Sequence, residues 1–491
     1  MSSIRRAFFF ASAERYIVIL VNLAMMPVIA RLMGPGDFGI SVLGMAALAI
    51  AEVIRDFGST AYIIHDRELT IARVRTAFTL TLVWTLALAA LLISFSGPIA
   101  RFYEVPGLEL YLDVIAISYG IGPFVAPLFA LLRREMAFDK IAIVTVTSTL
   151  VNAVAVIGLA ASGFSYMSFA WANIISATLG MLLGFYFRPD FSIFRISFAE
   201  WRKLTNFASY QTGAHILLTL WENIPYLLFG RLLDVTAIGL YQRAISLCYF
   251  PKRAILGGLA SIALPAFAAS VRDGKDLKAS YLRAVTLMTG VHWPALALLA
   301  ILAHPIVAIL LGERWQEVAS LMPIIAVALM FNVSANLTFS VLIAAGAVRS
   351  TFYLYLIVVP IATAIVALAA TYGLTAVAWS MFAIVPLEVI VALYFIRRAL
   401  RFTLRELFLA LLPSALLTLC AIVGPVAVLA ANGWRFDLGF LAAACAAALA
   451  AAGWLLGLPL VKHALYAELT KALRFSARFR SKHERLAAAK T

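Results

Sequence analysis

The chain has 491 residues, of which 64% are hydrophobic and only 13% charged, with a mean hydropathy of +0.97. That composition excludes a soluble globule, which is about half apolar and a quarter charged, and indicates a polytopic membrane protein. The formal charge of +15 does not point to nucleic acid, because the basic residues punctuate apolar runs, as in a positive-inside membrane protein.

The N-terminus, Arg5-Arg6 followed by Ala7 to Ala13, has the outline of a secretion signal, but Glu14-Arg15 follow at once and the apolar run resumes. An uncleaved first helix is expected. Spanning about 30 Å of hydrocarbon takes roughly 20 apolar residues, and fourteen segments qualify. Their cores are 12–32, 38–58, 77–98, 110–132, 141–161, 165–187, 207–230, 236–262, 284–311, 318–345, 351–371, 374–396, 407–430 and 438–461. With the N-terminus in the cytoplasm, 32 of the 39 Lys and Arg fall on the cytoplasmic side and 5 on the other, the bias that retention of positive charge produces. Both termini are then cytoplasmic. Cys248, Cys420 and Cys445 lie in apolar segments with no CxxC and no His cluster, so neither disulfides nor a metal site is indicated, and no cofactor motif is found.

The expected fold is all-α. The polar connection 188–205, in which Phe, Ile and Trp alternate with Arg and Lys, reads as a linker on the cytoplasmic face. It separates a six-helix lobe at 1–187 from a second at 206–398, with two additional spans at 399–461 and a basic cytoplasmic tail at 462–491. Six is even, so the lobes are expected to be parallel repeats, a transporter-like plan. Arg31-Leu-Met-Gly-Pro-Gly-Asp-Phe-Gly39 is echoed 200 residues later by Arg231-Leu-Leu-Asp-Val-Thr-Ala-Ile-Gly239, each in the turn after the first helix of a half. Gly180 and Gly184 form a GxxxG that suggests helix packing.

The chain has no GxxxxGK[ST], HExxH or DxD motif, and no enzyme activity is expected. Charge inside the membrane is what remains, and such residues usually face a polar cavity or a partner. Gln211, His215, Thr219, Glu222 and Tyr226 fall on one face of the seventh helix, and at the 200-residue offset Arg15 and Asn22 share a face of the first. Two opposed polar stripes would line a central cationic cavity of Arg15, Asn22, Gln211, His215 and Arg243, suited to an anionic, phosphate-bearing cargo. Glu222 and Glu388 are the candidate ion-coupling acids. Arg31, Arg55, Asp56 and Arg231, at helix ends, are candidate gate residues. Packing against neighbouring helices is the structural alternative for each.

Ala30-Arg-Leu-Met-Gly-Pro-Gly-Asp-Phe-Gly-Ile40, Arg55-Asp-Phe-Gly58 and Ala61-Tyr-Ile-Ile-His65 resemble the start of the polysaccharide transport proteins. These are the Wzx-type flippases of the multidrug/oligosaccharidyl-lipid/polysaccharide exporter superfamily. Gly230-Arg-Leu-Leu, Ile238-Gly-Leu-Tyr-Gln-Arg-Ala244, Ile262-Ala-Leu-Pro265 and Leu311-Gly-Glu-Arg-Trp315 are similar to its second half. The resemblance implies a transporter in the bacterial cytoplasmic membrane that moves an undecaprenyl-diphosphate-linked oligosaccharide between leaflets by alternating access. A glycan polymerase, a chain-length regulator and membrane lipids are the implied partners. Where that family has an Asn followed two residues later by Asp, this chain has Trp221-Glu222-Asn223. A cation-coupled drug exporter of the same superfamily and a membrane-embedded glycan polymerase are the alternatives.

Overall fold

The computed structural model describes residues 3–56, 59–65, 68–199, 201–256, 267, 272–273, 276–332 and 335–471, and among these there are helices and turns but no strand. Phe57-Gly58 and Ile262–Pro265 of the quoted motifs, the end of the eighth expected span and the tail beyond 471 lie outside the described residues.

The first part of the chain forms α1 (Ser3–Leu32), α2 (Pro35–Asp56), α3 (Ser59–His65), α4 (Ile71–Phe102), α5 (Gly107–Tyr119), α6 (Gly122–Arg134), α7 (Phe138–Leu159) and α8 (Met167–Phe187). Then come α9 (Trp201–Leu232), α10 (Val235–Pro251), α11 (Leu277–Ile301), α12 (Ala303–Leu310), α13 (Gln316–Met330) and α14 (Ala335–Ala344). The last are α15 (Val348–Ala370), α16 (Leu374–Leu400), α17 (Leu404–Ala431) and α18 (Phe440–Leu460). Their ends follow local chemistry. Pro35 opens α2 where its missing N–H costs nothing, with Asp37 in the first turn against the positive helix end. Thr70 caps α4 by accepting from Arg73 N at 3.3 Å, and Thr403 and Glu406 form a reciprocal capping box on α17.

Ten helices among the described residues are long and apolar enough to cross a membrane, or eleven if α5 and α6, bent by 43° at Gly120–Ile121, make one span. This is fewer than the fourteen expected. The seventh expected span coincides with α9, whose polar stripe lowers its apolarity, and the eighth with α10, which is only 17 residues long. The tenth is divided between α13 and α14, of 15 and 10 residues.

The chain groups into two compact units. One comprises Met1–Ser246, Val307–Leu321 and Phe352–Ser380, and the other Leu247–Ile306, Met322–Thr351 and Met381–Thr491. The first unit is organised by the repeated turn. A Cβ on Gly39 would overlap the Val235 carbonyl, and one on Gly239 the Pro35 carbonyl. The opening turns of α2 and α10 therefore meet backbone to backbone, reciprocally, at the 200-residue offset of the sequence echo, an approach that only glycine permits. Trp315, wholly buried, donates from Nε1 to Ala30 O at 2.9 Å and meets Phe38 edge to face at 5.9 Å. A Cβ on Gly44 would enter the ring of the buried Tyr111.

In the second unit, Tyr281, Val285, Met288, Val341, Ile396 and Phe402 form the apolar core. A polar knot joins α11, α17 and the residues after α18. His463, 1% exposed, accepts from Leu465 N at Nδ1 (3.1 Å), which leaves Nε2 to donate to Ser414 Oγ at 3.1 Å. Ser414 Oγ in turn accepts from Thr289 Oγ1 at 2.8 Å and donates to Thr286 O at 3.1 Å. The ring occupies the space a side chain at Gly290 would need, and Trp454 Nε1 donates to Gly290 O at 2.8 Å.

Two outcomes test this packing. Gly39→Leu or Gly239→Leu should destabilise the protein by about 1–3 kcal/mol through overpacking, read as a lowered unfolding temperature in detergent. Gly34→Ala, with no atom within 4 Å of its added Cβ, should leave that temperature unchanged. For His463, burial holds the imidazole pKa below its ordinary value. The unfolded chain therefore takes up the proton first as pH falls, so the knot's contribution is complete above the unfolded pKa of about 6.5 and declines below it. Melting temperatures between pH 8 and 5 should fall more steeply for the wild type than for His463→Gln.

Candidate functional site

An open cavity of about 530 Å³ lies within the first unit, lined by α1, α2 and α5–α8. Its walls are built by helical spacing. Thr145, Ser148, Thr149 and Asn152 recur at three- and four-residue intervals on α7, and Asn173, Ser176 and Gly180 do so on α8. Leu48, Glu52 and Arg55 line it from α2, Val18 and Asn22 from α1, and Ser118, Tyr119 and Gly122 from the bend between α5 and α6.

Hydrogen bonds fix this lining. Asn152 Nδ2 donates to Ser176 Oγ at 3.1 Å, Ser176 Oγ to Asn173 O at 3.2 Å, and Asn173 Nδ2 to Ser118 Oγ at 2.9 Å, forming a ladder across α7, α8 and α5. Thr149 Oγ1 and Asn22 Nδ2 bond back to carbonyls of their own helices, Thr145 O and Val18 O. Ser148 Oγ has no hydrogen-bond partner among the described residues. It faces Gly180, where a Cβ would stand 3.3 Å away.

The charge sits at one end of the cavity. The Arg55 guanidinium carbon lies 4.6 Å from the centroid of the Tyr119 ring, an aromatic platform for the cation. Tyr119 is itself pinned by donating from its hydroxyl to Ala51 O at 2.7 Å. Glu52 lies 3.9 Å from Arg55, one turn away. A Cβ on Gly122 would run into the guanidinium, so this glycine makes room for it. The result is a pocket with many neutral donors and acceptors and a single Arg–Glu pair, within the size range of small-molecule sites.

Of the residues expected from sequence, Asn22 and Arg55 meet in this cavity, and Asp56 beside it accepts from Thr60 Oγ1 at 2.7 Å. Arg15 is half-buried farther along α1. His215 and Glu222 are exposed on α9, and the Gln211 side chain lies outside the described residues. Arg243 is 7% exposed at the opposite end of the unit, its guanidinium 3.7 Å from the Phe38 ring centroid and 5.6 Å from that of Trp315. Arg31 Nη2 donates to Ile309 O at 3.4 Å, and Arg231 pairs with Glu104 at 3.1 Å while facing the Phe102 ring. Glu388 belongs to the second unit, half-buried on α16. Sequence reasoning missed the hydroxyl and amide ladder, although its three-four spacing on α7 and α8 was available.

Residues 28–320 match a family model described as "Polysaccharide biosynthesis protein". Over 341 residues the chain is 22% identical to the lipopolysaccharide biosynthesis protein WzxC of Escherichia coli K12, covering 68% of this chain and 69% of that one. It is 24% identical over 292 residues to the succinoglycan biosynthesis transport protein ExoT of Rhizobium meliloti, covering 59% and 58%. In fold it is similar to the lipid II flippase MurJ in an inward closed conformation, with a TM-score of 0.74 at 12% identity over 94% of this chain and 99% of that one. An inward-facing multidrug resistance MATE family transporter gives a TM-score of 0.62 at 15% identity, over 79% and 94%. With more than half of its length matched by the family model, the chain belongs to the polysaccharide biosynthesis protein family.

Proposed function

We propose that the protein flips a lipid-linked oligosaccharide, carried on an undecaprenyl-type diphosphate, across a bacterial cytoplasmic membrane by alternating access. The observation that carries this reading is the hydroxyl- and amide-lined cavity inside an otherwise apolar bundle. Asn, Ser and Thr side chains both donate and accept, as sugar hydroxyls do, and a glycan leaving water needs such replacements for its hydrogen bonds. An apolar drug gains little from that lining.

On this reading the chain has fourteen spans in two six-helix lobes, 1–187 and 206–398, joined by 188–205 and followed by 399–461, with both termini cytoplasmic. Arg15, Asn22, Gln211, His215 and Arg243 contribute cationic and polar contacts to the cargo, and Glu222 and Glu388 couple its movement to an ion. Arg31, Arg55, Asp56 and Arg231 act at the two gates. The protein is a transporter and not an enzyme. A polymerase and a chain-length regulator act on the flipped unit.

Deleting the gene should cause the lipid-linked repeat unit to accumulate in the inner leaflet. Arrival of the unit at the outer leaflet, in a strain with no redundant flippase, would overturn the reading. Asn152→Leu combined with Asn173→Leu should lower transport about tenfold or more, since each lost hydrogen bond to a desolvated polar partner is worth about 1–3 kcal/mol, while the amount of protein in the membrane stays near wild type. Glu222→Gln should lower transport at an unchanged amount of protein in the membrane, and normal activity would remove Glu222 from the coupling role.

A further inference from the structure

The connection between α8 and α9 has two chemically distinct sides. Its inward side is bolted to the bundle. Arg75 Nε donates to Ser192 O at 2.8 Å, Thr76 Oγ1 to Ala199 O at 2.7 Å, and Ser197 N to Thr79 Oγ1 at 2.9 Å. Ile193 is buried, and Phe194 meets the rings of Phe78, Phe124 and Phe185 at 5.1–5.8 Å. Asp190 caps the short helical turn Phe191–Phe194 by accepting from Ser192 N. The outward side carries Phe191, Ile196, Phe198 and Trp201, which are 66%, 72%, 57% and 46% exposed.

Four large apolar side chains held outward on a rigidly bonded segment need a covering surface. The neighbouring elements say which. Helix α8 is apolar enough to cross a membrane and ends at Phe187, whereas α9 begins at Trp201, so the segment runs across the end of the bundle at the level where a spanning helix leaves the hydrocarbon. Basic residues lie among the apolar ones. Arg195 is exposed, Arg202 lies 5.6 Å from the Trp201 ring centroid, and Arg133 is exposed on the last turn of α6. Arg188 is neutralised by Glu135, and Asp190 is turned inward as a cap.

We propose that residues 188–199, with Trp201 and Arg202, form an in-plane membrane anchor, whose Phe191, Ile196, Phe198 and Trp201 side chains enter the headgroup–acyl boundary while Arg195 contacts anionic lipid headgroups. Aromatic and aliphatic side chains interleaved with arginine are what such a boundary takes, with the apolar groups in the acyl region and the cation at the phosphates. The bonds to α4 make the anchor rigid, so it fixes the depth at which α9 starts. This inference stands on the segment's own geometry and does not depend on the transported cargo.

The test uses the full chain with Cys420→Ala and Cys445→Ala, Cys248 being buried, and one spin label at a time on Ile196→Cys, Phe198→Cys or Ala199→Cys. The protein is reconstituted in nanodiscs of phosphatidylcholine alone or mixed with phosphatidylglycerol, and each labelled variant must keep the unlabelled protein's unfolding temperature. Labels at 196 and 198 should be severalfold more accessible to oxygen than to an aqueous nickel chelate, with the reverse at 199. The label at 196 should become less mobile with phosphatidylglycerol, and adding Arg195→Gln should remove that response while leaving oxygen access intact. Nickel access at 196 and 198 equal to that at 199 would place the face in water. Exclusion of both reagents would place it against protein. Either result overturns the anchor, and a 196 label indifferent to phosphatidylglycerol overturns the headgroup contact.

Discussion

The apposition of Gly39 and Gly239 is the constraint on which the first unit depends. Neither residue has a side chain, and each presents its backbone to a carbonyl of the other's helix, Val235 for Gly39 and Pro35 for Gly239. Within the membrane there is no hydrophobic driving force between helices, so close backbone contact and dispersion must supply the association. The approach also sets its surroundings. Once α2 and α10 touch at this depth, Phe38 is directed toward both Trp315 and Arg243, and Trp315 reaches the carbonyl of Ala30 at the end of α1.

Arg243 shows how that packing decides the fate of a buried charge. From sequence, an arginine in an apolar helix was expected in a cavity with the cargo. It instead lies against the face of Phe38, near Trp315, with Nε and Nη2 lacking hydrogen-bond partners among the described residues. A desolvated guanidinium over an aromatic face gains about 2 kcal/mol, comparable to the cost of placing one charge in a membrane helix on insertion scales. Under the proposed function this arginine is held by aromatic rings while its end of the unit is packed, and it meets cargo only when Phe38 moves away.

The sequence read well where the signal was a contrast between polar and apolar residues. Most helix positions, the all-helical class and the family resemblance rest on such contrasts or on glycine and proline chemistry. It read poorly where the signal was small. Thr145, Ser148 and Thr149 scarcely disturb the hydropathy of α7, because hydroxyl residues lie near neutral on octanol-like scales, and the single amide of Asn152 is outweighed by its apolar neighbours. A periodicity search on hydroxyl and amide groups alone would have found them. Charged residues drew notice because each is costly in a membrane, yet His215 and Glu222 are exposed on α9, and the cavity is furnished chiefly by neutral groups that are cheap to bury once paired. Ten or eleven of the described helices meet the length and apolarity of a span against the fourteen expected, because counting apolar residues cannot tell one continuous helix from two short ones such as α13 and α14.

Helix α1 runs through both chemically different regions of the first unit, and its proline lies between them. Asn22 and Val18 line the polar cavity, Ala30 and Arg31 belong to the packed glycine–tryptophan region, and Pro27 separates the two stretches. Proline removes one backbone hydrogen bond from the preceding turn and crowds the carbonyl four residues back, so a helix bends there more cheaply than elsewhere. A bend at Pro27 would change the angle between the cavity-lining stretch and the packed end. Under the proposed function, this placement would let a single helix carry the change between the two ends, with the glycine contact holding one end packed and the neutral polar lining at the other.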